Sequence, residues 1–448
     1  MKLLFLLPVM AVVAAGQDAP PAPLALRDAV ALALNTNKAI AASQSAVNAA
    51  GAQVKEARAG FLPKVNYSES WARSNNPVFV FSSLLTQHQF GEQNFLVGPL
   101  NRPDFLNNFQ SLVTADQTLY DAGQVKHAVR GATLAKEMAD ETSRGARMQV
   151  IQSVVRAYYG TLLSAEQVKV ADQAARSAEA DLERAQSVRS AGLSTDSDVL
   201  SIRVHLASVR EQQIRKAADL EVARAALNDA LGLPLDTPHA LTTEFAALPS
   251  AAAVLAQYEA NAMQERPETR MTRIAKSLAE NQSASARSNF LPQVIAHGAF
   301  EADRQRFYDR GGANWLVSVG LKWNLFNGFA DKARTEAAVA ELERATAREK
   351  EVDSAVRLQI RRAFADLNAA QQRIEVARAT VAEAEESLRI TQNRYAAGLS
   401  TVTELLRTET TLLDAQTRQL EAVHDQRIAA AALELAAGTL TPDSEVLK

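Results

Sequence analysis

Six histidines, His88, His127, His205, His239, His297 and His424, are the side chains best suited to titrate near neutral pH or to ligate a metal. They are scattered, and no two stand at the spacing that brings paired imidazoles to one ion. The 448 residues include no cysteine, which removes disulfides and thiolate–metal centres. No glycine-rich phosphate loop and no nucleophile motif occurs. The sequence therefore assigns no reaction, metal or cofactor. What does recur is an acid three residues after a threonine, behind a glycine turn. Ala191-Gly-Leu-Ser-Thr195 is followed by Asp198, and Ala397-Gly-Leu-Ser-Thr401 by Glu404. Thr-x-x-Asp/Glu is a capping box, in which each side chain satisfies an orphan N–H of the helix start. Gly192 and Gly398 suit the left-handed position that ends the preceding helix. Each motif predicts a tight helical hairpin.

The elements holding these turns are themselves duplicated. Arg189–Leu206 returns as Tyr395–Leu412, an offset of 206 that also pairs Leu119-Tyr120-Asp121 with Leu325-Phe326-Asn327. Upstream, Gly60–Val65 (GFLPKV) matches Asn289–Val294 (NFLPQV) at an offset of 229, so the first copy carries 23 more residues between Val65 and Leu119. Two copies of one unit favour pseudo-symmetric assembly.

Proline-free stretches predict helices from Gly123 to about Ala191, Thr195 to about Leu231, Ala330 to about Ala397, and Thr401 to about Ala437. The longer of each pair would reach roughly 100 Å at 1.5 Å per residue. Ala171, Ala175, Ala178, Leu182 and Ala185 step by four and three, as do Ala377, Val381, Ala384, Leu388 and Thr391. That rhythm means coiled-coil packing, with a small-residue seam that lets helices approach closely. The return helix has Leu206, Val209, Leu220, Ala223, Leu227 and Ala230, interrupted by Gln213 and Lys216 in a way that fits a wall with water on one side.

Between the helices lie strands. In Trp315–Leu325 (WLVSVGLKWNL) the odd positions are apolar and the even ones mostly polar, and Trp315 and Trp323 are set about 26 Å apart at roughly 3.3 Å per residue. This matches an outer-membrane barrel strand with an aromatic girdle at each interface. Its partner is expected at Val294–Phe300, and the first copy should place strands at Val65–Trp71 and about Phe109–Leu119. Four strands cannot close a barrel, and lipid forbids an open edge. Three chains would supply twelve strands, so a homotrimer in outer-membrane lipid is the simplest closed answer.

The chain starts with Lys2, an apolar run Leu3–Ala15 and Gly16-Gln17, which predicts an export signal over 1–16. The expected organisation continues with a first repeat over 17–232. It holds a β-hairpin at about 62–119 around a long extracellular loop 74–106, then a helical hairpin at about 122–231. A linker over 233–250 leads to a second repeat, 251–438, with a β-hairpin at about 291–325 and a helical hairpin at about 329–437. A tail of 439–448 follows. Net charge of −3 leaves no nucleic-acid footprint.

Leu24–Ile40 (LALRDAVALALNTNKAI), GFLPKV and NFLPQV before strands, LYDAG and LFNGF after them, and AGLST twice resemble the TolC-type outer-membrane efflux family in order and duplication. The resemblance covers essentially all of the mature chain. It implies a mainly α fold with a membrane β-barrel portion: a trimeric twelve-stranded barrel on a periplasmic α-helical coiled-coil tunnel, in the outer membrane of a Gram-negative cell. It implies a channel rather than an enzyme, the exit duct of a tripartite efflux or type I secretion system. The partners would be a periplasmic membrane-fusion adaptor and an inner-membrane transporter of the resistance-nodulation-division or ABC type.

By the same resemblance the hairpin tips close the periplasmic end like an iris. Glu404 stands where the family forms a constricting acidic ring, although its capping role alone also explains it. Arg407 replaces a second acid and is expected to pair with Glu404 or with Asp198 of a neighbour. Tyr395 and Asp198 match positions that tie neighbouring helix pairs together, and Ser400 replaces the family's basic partner. Gly192, Leu193, Ser194 and Thr195, with Gly398, Leu399, Ser400 and Thr401, would meet the adaptor tip to tip. Asn37-Lys38 departs from the family's Asn-Pro, whereas Arg266-Pro267 keeps a proline. Two other readings compete: an autonomous porin, which the long helices oppose, and a periplasmic coiled-coil adaptor or scaffold without a pore.

Overall fold

The computed structural model of the chain describes residues 22–191, 195–249 and 254–447. The expected export signal and the tip residues Gly192, Leu193 and Ser194 lie outside them. The first repeat contains β1 (Ala22–Leu24), α1 (Leu26–Thr36), α2 (Lys38–Arg58), β2 (Lys64–Ser74), α3 (Pro77–Thr86), α4 (Val97–Asn101), β3 (Leu106–Tyr120), α5 (Gln124–Ser190) and α6 (Asp196–Leu231). After β4 (His239–Leu241), the second contains α7 (Leu255–Glu265), α8 (Pro267–Ser288), β5 (Gln293–Arg304), β6 (Gly312–Lys322), α9 (Ala330–Ala396) and α10 (Val402–Ala437). The duplication is explicit in the helices: α5 and α9 each have 67 residues, α6 and α10 each 36. None of the described helices is long and apolar enough to cross a membrane.

The chain divides into two compact units, with α5 and α9 contributing to both. The first comprises Met1–Ala41, Ala146–Arg266 and Arg357–Lys448. Its main core joins Leu26, Ala29, Val30 and Ala33 of α1 to Val154, Val155, Tyr158 and Tyr159 of α5, all fully buried. A buried tyrosine hydroxyl usually finds a hydrogen-bond partner. Tyr158 Oη donates to Leu24 O at 2.8 Å, beside the parallel β1–β4 pair, and accepts from Thr243 N at 3.2 Å, which ties the linker to the helical core.

Both hairpins end in this unit by one device. Gly232 and Gly438 take φ of 73° and 76°, and the following amides bond back to Asn228 O and Glu434 O at 2.9 Å. A side chain at Gly232 would sit 2.8 Å from Thr36 O, and one at Gly438 would sit 2.6 Å from Arg266 Cα. Each glycine therefore seats a hairpin against the junction at the end of the short helix opening its repeat.

The predicted seam residues Ala171, Ala175, Ala178 and Ala185 are buried, as are Val381, Ala384 and Thr391 in the second copy. The polar interruptions of α6 are cross-links within the first hairpin. Gln213 Nε2 donates to Asp172 Oδ1 at 2.8 Å, Lys216 Nζ to Gln167 Oε1 at 2.9 Å, and Arg210 Nη2 to Glu179 Oε1 at 2.7 Å. Long polar side chains thus span the α5–α6 gap where a methyl-sized seam cannot.

The second unit, Ala42–Gly145 and Pro267–Val356, holds an antiparallel sheet of order β2-β3-β5-β6. The two repeats join through β3 and β5, with Val113 opposite Phe300. Because side chains alternate along a strand, the registers sort residues onto two faces. One face carries Val65, Tyr67 and Trp71 of β2, Phe109, Val113 and Ala115 of β3, Phe300 of β5, and Trp315, Val317, Val319 and Leu321 of β6. The other carries Asn66, Ser68 and Ser70, then Asn108, Gln110 and Thr114, then His297 and Glu301, then Ser318 and Asn314. Val317, Val319 and Leu321 are 66–69% exposed within the chain.

All four strands differ from their expected limits. The β6 strand begins at Gly312 and ends at Lys322, which pairs with Gln293. The next rung would oppose Trp323 to Pro292, which has no N–H to give. Trp323 therefore lies outside the ladder, and its indole N–H donates to Phe290 O at 3.0 Å.

Segment 74–106 is not simply a loop. Asn76 accepts from Val78 N and Phe79 N, with Pro77 in the first turn, and so nucleates α3. Phe81, Phe90 and Phe95 stack edge to face at 4.8 and 5.0 Å. Buried Gln87 donates to Asn108 Oδ1 at 2.8 Å, Asn108 donates to Asp303 Oδ1 at 2.6 Å, and Asn314 donates to Thr86 O at 3.1 Å. These partners lie on the polar face, so α3 is moored over that face at one end of the sheet.

Candidate functional site: the helical-hairpin tips

The tips are built by local capping. Thr195 Oγ1 accepts from Asp198 N at 3.2 Å, and Asp198 Oδ2 accepts from Thr195 N at 3.2 Å, completing a reciprocal box at the start of α6. The α5 end is tied to the same turn by an Arg189–Asp196 ion pair. At the second tip Gly398 has φ of 73°, and Leu399 N bonds back to Arg394 O at 2.8 Å. Leu399 is 69% exposed, an apolar side chain presented by the turn.

The α10 cap differs from its partner. Thr401 Oγ1 accepts from Glu404 N at 3.2 Å, but the Glu404 carboxylate turns to Ser400, whose Oγ donates to Oε2 at 2.6 Å. Glu404 is thus a half-box with one oxygen held at the exposed end of its helix. Arg407, expected to pair with it, is exposed and forms no ion pair with Glu404 or Asp198 among the described residues.

Tyr395 is half-buried beside a small core of Ala185, Val199, Ile202 and Val402, with Leu182 and Leu406 around it. Burial, then the Asp198 and Asp181 carboxyls, push the Tyr395 phenol above its ordinary range. The structure therefore brings Tyr395 of α9 within electrostatic reach of Asp198 of α6 in one chain. At the sheet, Trp315 projects with 78% exposure on the apolar face, and Trp323 is 53% exposed.

The motifs pointed away from a second group in the same unit. Asp181 of α5 is buried and Glu409 of α10 half-buried near His205 of α6, with His205 Nε2 3.2 Å from Glu409 Oε2. Arg184 Nη1 reaches Asp181 Oδ1 at 3.1 Å. The available signal was an acid next to the alanine stripe, since Asp181 directly precedes Leu182. Among the described residues no group of three or more His, Cys, Asp or Glu is placed to hold a metal ion.

An amphipathic sheet joined to two paired long helical hairpins is the architecture of an outer-membrane channel protein. The chain matches the outer membrane efflux protein family model over residues 29–233 and 260–439, and belongs to that family. It is 28% identical over 433 residues to Protein CyaE of Bordetella pertussis, covering 94% of this chain and 86% of that one. It is 26% identical over 393 residues to the alkaline protease secretion protein AprF of Pseudomonas aeruginosa, covering 86% and 78%. The fold superposes on the Campylobacter jejuni CmeC outer membrane channel with a TM-score of 0.79 at 15% identity, covering 94% of this chain and 87% of that one.

Proposed function

We propose that three copies of this chain form the outer-membrane exit duct of an export system, gated at the hairpin tips. One observation carries the reading: the four-stranded sheet has an exposed apolar face, a polar face, and two outer strands, β2 and β6, each with a single partner in the chain. In lipid such edges must be paired, so β6 of one copy meets β2 of the next and twelve strands enclose a polar lumen. Trp315 and Trp323 sit at the membrane interfaces. The helices form a periplasmic tunnel ending at the tips.

There three Glu404 side chains form a negative ring that focuses potential and favours cations. Arg407 meets Glu404 or Asp198 of the next copy. The tip surface with Thr195, Gly398, Leu399, Ser400 and Thr401 docks a periplasmic adaptor, which couples the duct to an inner-membrane pump. Similarity to a protein named for protease secretion favours a secreted polypeptide as cargo. At the other end, α3 on the polar face narrows the extracellular mouth.

Single-channel conductance of the purified protein in planar bilayers tests this, wild type beside Glu404→Ala. Small, discrete, cation-preferring openings that grow or lose selectivity in the variant are expected. Openings indifferent to the change reduce Glu404 to a helix cap. Absence of conductance from a protein soluble without detergent overturns the duct and leaves the periplasmic scaffold.

A further inference from the structure

We propose that Asp181, Glu409 and His205 act as positioning residues, a proton-operated latch holding the second helical hairpin against the first behind the gate; this rests on the exit-duct reading. The three come from three helices, α5, α10 and α6, about ten residues back from the tips. The Asp181 side chain is 4% exposed, that of Glu409 9% and that of His205 16%. Neither Asp181 Oδ2 nor either oxygen of Glu409 accepts a well-aligned hydrogen bond from the protein. Orphaned buried carboxylate oxygens are costly, and two adjacent carboxylates repel in a site with little water.

One proton shared between the two carboxyls removes both penalties. It leaves a single negative charge on Glu409, facing His205 at 3.2 Å. A pocket of about 260 Å³, lined by Ser177, His205, Gln392, Glu409 and Gln416, reaches Glu409 and gives water a route to the pair.

The other titratable or charged groups around the pair are Arg184 on the same helix as Asp181, Tyr395 on α9, and Asp198 on α6 beside Tyr395. Burial first, then hydrogen bonding and repulsion from Glu409, push the Asp181 carboxyl up to about 7. Burial opposes the charge on Glu409 as well, but the contact with His205 and the closeness of a protonated Asp181 hold its carboxyl below the usual range.

The sign follows from proton linkage. Closed hairpins hold a proton on Asp181 that opened, hydrated hairpins release at an ordinary carboxyl value. Between those two values each pH unit upward lowers the closed-to-open ratio by up to about tenfold, and above about 7 the ratio levels off. Below the ordinary range Glu409 takes up a proton and the His205 contact weakens. The latch is therefore tightest in mild acid and loosens toward neutrality.

The test is bilayer conductance of the full-length protein at pH 5, 6, 7 and 8, wild type beside Asp181→Asn. The amide introduced by this substitution donates to Glu409 at every pH. Wild-type open probability should rise at least tenfold from pH 5 to pH 7 and then level, while Asp181→Asn stays near the pH 5 value throughout. A flat wild-type profile, or an unchanged profile in the variant, overturns the latch but leaves the duct standing.

If no discrete openings occur at any pH the duct reading fails, and the latch is judged by hydrogen exchange of α10 amides between Val402 and Leu413. Protection there should fall from pH 5 to pH 7 relative to Asp181→Asn. Equal protection in the two proteins overturns the latch independently of conductance.

Discussion

At the level of single residues, the tips separate what a local motif can specify from what it cannot. Thr195 and Thr401 both cap their helices, as their spacing requires, because a capping bond closes within four residues. The two acids then diverge. Asp198 completes its box, whereas Glu404 turns to Ser400. Asp198 therefore has two roles, a local cap and a charge beside Tyr395. Asp198→Ala should raise bilayer conductance above wild type by loosening the hairpin tie, and should cost about 0.3–1 kcal/mol of helix stability. Asp198→Asn keeps a side-chain acceptor for Thr195 N but loses the charge, so conductance between the two identifies the share owed to the tie. Conductance of Asp198→Ala no greater than wild type would leave Asp198 as a cap alone. The Asp181–Glu409 pair was not legible: 228 positions separate its members, and each looks like one more acid on a helix among 51.

At the level of elements, the long helices were legible because absence of proline and a repeated four-three rhythm persist over dozens of residues. The strand limits were not, because ladder length depends on the partner; Pro292 stops β6 from across the sheet. Segment 74–106, expected as a long loop, also contains helices. Its α3 is started by an Asn76-Pro77 signal, but it is anchored by Gln87, Asn108, Asp303 and Asn314, which no local window brings together. The closing glycines stand between these cases, since a left-handed end is a local signal whereas its packing is not. Gly438→Ala places a side chain in a left-handed conformation, worth roughly 1–2 kcal/mol, and forces it onto the Arg266 backbone. It should lower the thermal midpoint more than Gly398→Ala, whose added carbon meets open space at a similar φ. Equal midpoints for the two variants would show that close packing at Gly438 does not matter.

At the level of the whole molecule, the sheet decides where the protein can live. Its apolar face offers Val317, Val319 and Leu321 to the outside while hydrogen-bonding groups line the other face. Val317→Arg should cost about 2–4 kcal/mol if that position lies near the bilayer midplane. Ser318→Arg on the opposite face should be tolerated. Detergent-resistant trimer and membrane insertion, compared for the two variants, check this; equal loss in both would place neither face in lipid. The sequence alone determined the duplication, the helical hairpins and their caps, and the alternation of Trp315–Leu325. All of these are encoded by spacings within one element or by similarity between two, and short-range sterics and hydrogen bonding suffice to impose them. Only the tertiary structure decided which carboxylates share a buried site, which polar residues bridge α5 to α6, where the strands stop and what α3 rests on. Those outcomes depend on desolvation and partner geometry, which exist only once distant segments are brought together.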